Sequence, residues 1–408
     1  MSSAQLALEG IRVLDWTTGQ QGPAATMMLA DLGADVIKIE SPEGELGRGF
    51  IVAKHYLHSG RNFYFETFNR NKRGMVLDLR KDESREILYR LVEKSDVFVQ
   101  NWRKGVAAKL GADYPTLSRI NPKLIYASAS AFGSEGPDSD KPGLDLLGQA
   151  RSGIMLSLGN PDSPPIALPG GLADQMGATV LFGGILVALL ARERTGTGQE
   201  LCSSLLGSMV WLQSLSVMSR LILDPESEQP FDRRDRKNAR NALWNWYECA
   251  DKKWLALSMS RDGKYWHDFC QALGSEGLEN DPCYVTSNER QRNNSDLIAI
   301  LDKVFASKPR AEWLRTFSDY EDLLFAPVNT IPDLIEDPQL TLNQYIVDYE
   351  HPVWGKIKEV GFPITCSKTP ASLRREAPML GQHTEEVLID VLGYTWEDIQ
   401  KLNRQEVV

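Results

Sequence analysis

Through the first third of the chain, short apolar runs of strand length alternate with longer stretches of helical spacing. "IRVLDW" (11–16) is a β-branched run that ends in the turn "TTGQQGP". Pro23 then opens the helical "AATMMLADLGA", with Gly33 near its end, the usual placing of proline and glycine around a helix. "DVIKIE" (35–40), "GMVLDL" (74–79), "DVFVQN" (96–101) and "KLIYASAS" (123–130) read as further strands, spaced by helical stretches at 83–95 and 105–120. Short apolar strands separated by helices predict a mostly parallel, doubly wound, Rossmann-like α/β sheet covered on both faces.

From Asp174 to about Arg194 the pattern is one buried helix ended by "TGTG", and residues 201–222 also read as helical. Residues 224–241 are charged and poor in apolar side chains, which marks a linker or exposed loop. Beyond them "WNWYECADKKWLALSM" alternates about a polar turn like a hairpin, while "KYWHDFCQAL" and "DLIAILDKVFAS" have helical spacing. "VWGKIKEVGFPIT" has strand character, and "TEEVLIDVLGYTWEDIQKL" reads as two helices divided at Gly393. The expected architecture is a large Rossmann-like domain over 1–224, completed by about 331–408, with a smaller α+β domain over 225–330.

Length and charge narrow the classes of function. The 408 residues suit more than one domain. A formal charge of −10 disfavours nucleic acid and anionic membrane surfaces as partners, but leaves room for a local patch that holds a small anion. Five cysteines, widely spaced and without a CxxC pair, read as reduced thiols of a cytoplasmic protein. The N-terminus lacks a basic stretch followed by an apolar one, so no secretory signal is expected. The most apolar run, Ala178 to Ala191, has about 14 residues, fewer than the roughly 20 that cross a bilayer.

Several chemistries find little support. Glu40 ends the first β-α-β unit where a Rossmann protein places the acid for an adenine ribose, but the turn before it carries only Gly19 and Gly22 and lacks the GxGxxG spacing. The histidines (His55, His58, His267, His351, His383) form no HxH or HExxH pair, and no GxSxG elbow or Walker loop is present. No metal site is therefore expected. Cations are more suggestive. Arg70, Lys72 and Arg73 precede one expected strand, Arg80 follows it, and Arg103 and Lys104 follow another. The last three fall at the carboxyl edge of the sheet, where ligands of open α/β sheets lie.

Asp174, in "PGGLADQMGA", stands directly before the long apolar helix. Spacing alone makes it a helix N-cap, a role worth about 0.5–2 kcal/mol. The helix dipole would hold such a carboxylate ionised, and a carboxylate can attack an activated carbonyl without a histidine beside it. Gly170, Gly171, Ala173, Gly177 and Ala178 leave room for a bulky acyl group.

"GIRVLDWTTGQQGPAATMMLADLGADVIKIESPEG", "NRNKRGMVLDLR", "DVFVQNWRKG", "NPKLIYASASAFGSEGP", "GLDLLGQARSGIM", "GGLADQMGA", "RTGTGQELCSSLL" and "PMLGQHTEEVL" together resemble the family III CoA-transferases of the carnitine and bile-acid (CaiB/BaiF) type, in order over nearly the whole chain. The resemblance implies that Asp174 is the nucleophile, carrying an aspartyl anhydride and then an aspartyl-CoA thioester. It implies that Gln20, with Gln21 beside it, contacts the reacting groups. CoA contacts would come from Leu77, Asp78, Leu79, Arg80, Asn101, Trp102, Arg103 and Lys109. Coenzyme A would enter as part of substrate and product, with no permanently bound cofactor. The partners implied are an acyl-CoA, a carboxylic acid, and a second chain in an interlocked dimer, identical or paralogous.

The match has departures. Ser41 stands where some members carry a basic residue, which puts adenosine contacts there in doubt, and the glycine run of a mobile loop is missing. α-Methylacyl-CoA racemases of the same superfamily carry a histidine where this chain has Leu144, so a racemase lacks one of its two acid–bases here. A subunit of a heteromeric CoA-transferase, such as a benzylsuccinate-type enzyme, is the other alternative. Trp16, Gln20, Gln21 and "WNWYECADKKW" suit an aromatic pocket or ordinary core packing equally. From relatives, succinyl-CoA is the expected donor, with an aromatic or dicarboxylic acceptor.

Overall fold

The computed structural model describes residues 6–49, 57–58, 61–223, 226, 233–405 and 407. His55 and residues 224, 225 and 227–232 of the expected linker at 224–241 lie outside these residues.

Six parallel strands form the main sheet: β1 (Arg12–Trp16), β2 (Asp35–Glu40), β3 (Arg73–Val76), β4 (Val97–Gln100), β5 (Ile125–Ser130) and β6 (Gln199–Ser204). Their order is β3-β2-β1-β4-β5-β6, paired in parallel throughout. The order reverses direction between β1 and β4, which opens a crevice at the carboxyl ends of those two strands. Strand alternation divides the core into two layers. Leu14, Ile37 and Phe98 pack on one face, against Ile87 and Leu88 and against Val387 and Leu388 near the C-terminus. Val13, Val36 and Val97 pack on the other, against Ala25, Leu29, Leu181 and Ile185.

The helices that matter to the crevice are α1 (Gln21–Asp31), α2 (Phe63–Asn69), α3 (Asp82–Glu93), α4 (Asp145–Arg151), α5 (Leu172–Thr195), α6 (Leu205–Leu212) and α7 (Ser214–Leu223). α1 starts two residues before Pro23. The expected helix over 201–222 is corrected at its start. Residues 199–204 are the edge strand β6, and the Ser204 hydroxyl then caps α6 by accepting from the Gly207 N–H at 2.9 Å. No residue of β6 is fully buried, so it carries no apolar run to announce it.

α5 is the longest of these helices, and its 24 residues make it the one described helix long and apolar enough to cross a bilayer. Here it is a core helix: Ala178, Leu181, Phe182, Ile185, Ala188 and Leu189 are buried against the sheet. Arg192 and Arg194 occupy its last turn.

By contact the chain divides into two compact units, one of Met1–Met155, Ala167–Ser227 and Thr341–Val408, the other of Leu156–Ile166 and Glu228–Leu340. The first holds the parallel sheet. The second has a small antiparallel sheet of β7 (Trp246–Glu248), β8 (Trp254–Leu257) and β9 (Phe325–Val328), in the order β9-β8-β7. Tyr247, Phe269, Phe305, Trp313 and Phe317 form its aromatic core. Arg233 ties the stretch 156–166 to this unit through the carbonyls of Leu156 and Asn160.

Candidate active site

The turn after β1 is held from beneath by buried ions. Asp15 and Lys72 are fully buried and paired at 2.8 Å, and Lys72 also donates to the Pro23 carbonyl and to Asn69 Oδ1. Thr26 donates to Asp15 at 2.7 Å, and Lys38 donates to the Thr17 carbonyl at 3.0 Å. Burial opposes the charge on Asp15, but Lys38 and Lys72 together hold its carboxyl below the usual range. Burial lowers the Lys72 ammonium to about 8, against the pull of Asp15. Glu45 completes the support: its Oε2 accepts from Thr18 Oγ1 at 2.8 Å and from the Gly19 N–H at 2.9 Å. Asn101, just beyond β4, clamps the same turn by exchanging two hydrogen bonds with the Thr18 backbone.

On this support sits a cavity of about 350 Å³ in the first unit, lined among others by Gln20, Gln21, Tyr64, Leu144, Asp145 and Asp174. Gly170 and Gly171 adopt left-handed conformations that begin α5 (φ 84° and 78°). A Cβ on Gly171 would also lie within 2.6 Å of the Gln20 side chain. The Gln20 amide closes over this turn and donates to the Gly170 carbonyl at 3.0 Å.

The expectation that Asp174 caps the helix is corrected. The N-cap position is Gly171, and Asp174 is the third residue of α5. The cap comes from Asp145, the first residue of α4. Its Oδ1 accepts from the Ala173 N–H at 2.7 Å and the Asp174 N–H at 3.3 Å, while its Oδ2 accepts from Gln149 at 2.7 Å. The expected effect of the dipole on Asp174 is opposed by its surroundings. Burial first, and the Asp145 carboxylate second, push the Asp174 carboxyl up to about 7. Burial and the nearby Asp174 also raise the Tyr64 phenol above its usual range. A partly desolvated carboxylate with a raised pKa is more basic than a solvated one and is a stronger nucleophile once ionised.

The other expected residues distribute unevenly around the crevice. Leu77 and Leu79 are core side chains, so only their backbone faces outward chemistry. Arg80 is exposed but chelated by Asp78, at 2.6 Å, and by Glu43, at 3.2 Å. Trp102 donates from its indole to the Trp16 carbonyl at 3.0 Å and packs against the Trp16 ring, so Trp16 belongs to the core. Arg103 and Lys109 are exposed cations near the end of β4, and Lys104 reaches the Ser134 carbonyl at 3.1 Å.

Arg70, Lys72 and Arg73 are corrected from phosphate candidates to structural ions. Arg70 is held by Asp31 at 2.7 Å, Lys72 by Asp15, and Arg73 by Asp35 at 2.7 Å. Glu40 is likewise occupied, by both Nε and Nη2 of Arg48 at 2.7 Å. In "WNWYECADKKW" Tyr247 serves packing, stacked on Phe305 at 4.7 Å, while Trp244 is exposed and lines a separate cavity of the second unit with Trp246. Sequence reasoning missed Asp145, Tyr64 and Glu45. Their roles depend on pairings across the fold, and no local spacing signals them.

The comparisons with known proteins agree on one family. A family model described as CoA-transferase family III matches residues 8–384. The chain is 31% identical to formyl-CoA:oxalate CoA-transferase of Streptomyces coelicolor, over 98% of this chain and 99% of that one. It is 34% identical to succinyl-CoA:mesaconate CoA-transferase of Haloarcula hispanica, over 94% and 96%. The crystal structure of a CAIB/BAIF family protein from Brucella suis superposes with a TM-score of 0.84 at 29% identity, covering 95% of this chain and all of that one. The chain belongs to CoA-transferase family III, and is an enzyme of the acyl-CoA:carboxylate CoA-transferase type.

Proposed function

We propose that this enzyme moves CoA from an acyl-CoA donor, succinyl-CoA in the first instance, to a carboxylic acid acceptor, with Asp174 as the covalent nucleophile. The observation that carries the reading is the placing of Asp174. It is a half-buried carboxylate with a pKa pushed up to about 7, at the start of a rigid helix and beside the sheet's switch point.

The Asp174 carboxylate attacks the thioester carbonyl; the C–S bond breaks and releases CoA thiolate, leaving a mixed anhydride. The thiolate then attacks the aspartyl carbonyl of that anhydride, expelling the donor acid and leaving an aspartyl-CoA thioester. The acceptor carboxylate attacks this thioester to give a second anhydride and free thiolate. Attack of the thiolate on the acceptor's carbonyl yields the new acyl-CoA and regenerates Asp174. Each step breaks one activated acyl bond as another forms, and splitting one hard exchange into easier acyl transfers is the gain of covalent catalysis.

Exposed Arg103, Lys104 and Lys109 at the end of β4 suit the phosphates of CoA. No cofactor beyond CoA itself is required. Exposed Trp211, Leu215 and Leu223 on α6 and α7 favour association with a second chain; that the pair is an interlocked dimer working in the cytoplasm is part of the proposal. Succinyl-CoA and acetyl-CoA, each incubated with a panel of acids and read by the mass of new acyl-CoA, test the proposal. New products that vanish in Asp174→Ala are expected, and exchange at full rate in that variant contradicts it. α-Proton exchange with deuterated water, without CoA movement, would identify a racemase instead.

A further inference from the structure

Gln20 and Gln21 are adjacent in sequence but differ in their hydrogen bonding. The Gln20 amide is engaged by the Gly170 carbonyl. Gln21 is 5% exposed, lines the same cavity, and its buried Nε2 has no hydrogen-bond partner. A buried amide nitrogen without an acceptor is unfavourable, and it persists where something else supplies the acceptor. The amide lies against α5 one turn beyond Asp174: a Cβ on Gly177 would stand 2.6 Å from Gln21 Nε2.

Residues three apart on a helix share a face, with a rise of about 4.5 Å between them. An acyl group bound at Asp174 reaches that distance in about three bonds of roughly 1.5 Å each. The two ends of a carboxamide exchange by a half-turn about its last bond, so its N–H groups can turn into the cavity.

Resting on the CoA-transfer reading, we infer that Gln21 is a specificity-determining substrate contact. It donates a hydrogen bond to an oxygen on the acyl chain, two to three carbons from the reacting carboxyl. The oxygen belongs either to a hydroxyl or to a second carboxylate. A side chain that touches substrate in this way selects among acids of equal length and leaves the covalent chemistry at Asp174 alone.

Butyrate, 3-hydroxybutyrate and succinate share a four-carbon skeleton and separate the cases of no oxygen, a neutral oxygen and a charged one. We would measure kcat/KM for each as acceptor, and their binding by calorimetry with CoA present, in the natural enzyme and in Gln21→Met. Methionine keeps the volume and removes the amide. The expected result is a preference for at least one oxygen-bearing acid that falls roughly tenfold in Gln21→Met. Butyrate turnover should hold within about threefold, and the melting temperature should stay equal or rise, because a buried unpartnered amide has been removed. The acid whose advantage is lost identifies the oxygen. An unchanged ratio, or a variant that melts lower or fails to fold, would make Gln21 a structural residue and overturn the inference. If no acid becomes an acyl-CoA at all, the CoA-transfer reading is what fails, and the calorimetric ratio still decides the role of Gln21.

Discussion

The proposed attack of Asp174 on a thioester needs its carboxylate form, and at pH 7 a group with a pKa of about 7 is only about half ionised. The acylation step should therefore lose rate as pH falls below that value, with a single-proton acidic limb in kcat/KM for the acyl-CoA. Asp145→Asn removes the like charge while an amide oxygen remains to accept from the helix N–H groups. The Asp174 pKa should then fall, although burial, the larger cause, remains. The acidic limb should move to lower pH; a limb that stays in place would show that Asp145 does not set it. This pairing was not legible in the sequence. Asp174 announced itself by its small neighbours, but its cap comes from a residue far back in the chain, and helix-start rules see only adjacent positions. Those rules also misplaced the cap. The left-handed pair Gly170–Gly171 turns the chain early and makes Asp174 the third residue of α5.

The elements around the site act as a mount. Gly171→Ala would force a left-handed φ on an L-residue, worth about 1–2 kcal/mol, and would drive its Cβ into Gln20. Transfer should fall at least about tenfold for a displacement of this size, with a lower melting temperature; a fully active, unshifted variant would show that the turn is tolerant. Lys72→Met leaves Asp15 buried without its partner, and urea unfolding should report a loss of about 3–5 kcal/mol. A loss below about 1 kcal/mol would show that Lys38 suffices. Most of these elements could be read from the chain, because strands such as 97–100 put apolar side chains on both faces and their helices are punctuated. β6 could not. As an exposed edge strand, its "QELCSS" has no apolar alternation, and it is fixed by pairing with β5. The lysine at 72 shows the converse limit: charge is visible in sequence, but whether a cation meets solvent or a buried carboxylate is decided by the fold.

At the scale of the whole molecule, the order β3-β2-β1-β4-β5-β6 brings the turn after β1, Asn101 after β4 and the start of α5 to one crevice. The alternation of strand and helix foretold that class of sheet, while the resemblance supplied the chemistry, since no spacing distinguishes a capping aspartate from a reacting one. The apolar face of α6 and α7 should be covered in solution: light scattering should give twice the chain mass of 45.7 kDa, and Leu215→Glu should weaken that association. A monomer that remains active would refute the interlocked dimer. The most direct test of the central claim is chemical trapping. The enzyme is incubated with succinyl-CoA alone, quenched with hydroxylamine, digested and read by peptide mass. An aspartyl anhydride or aspartyl-CoA thioester predicts a hydroxamate on Asp174 that requires acyl-CoA. An unmodified Asp174 in enzyme that still exchanges CoA between acids would contradict the account.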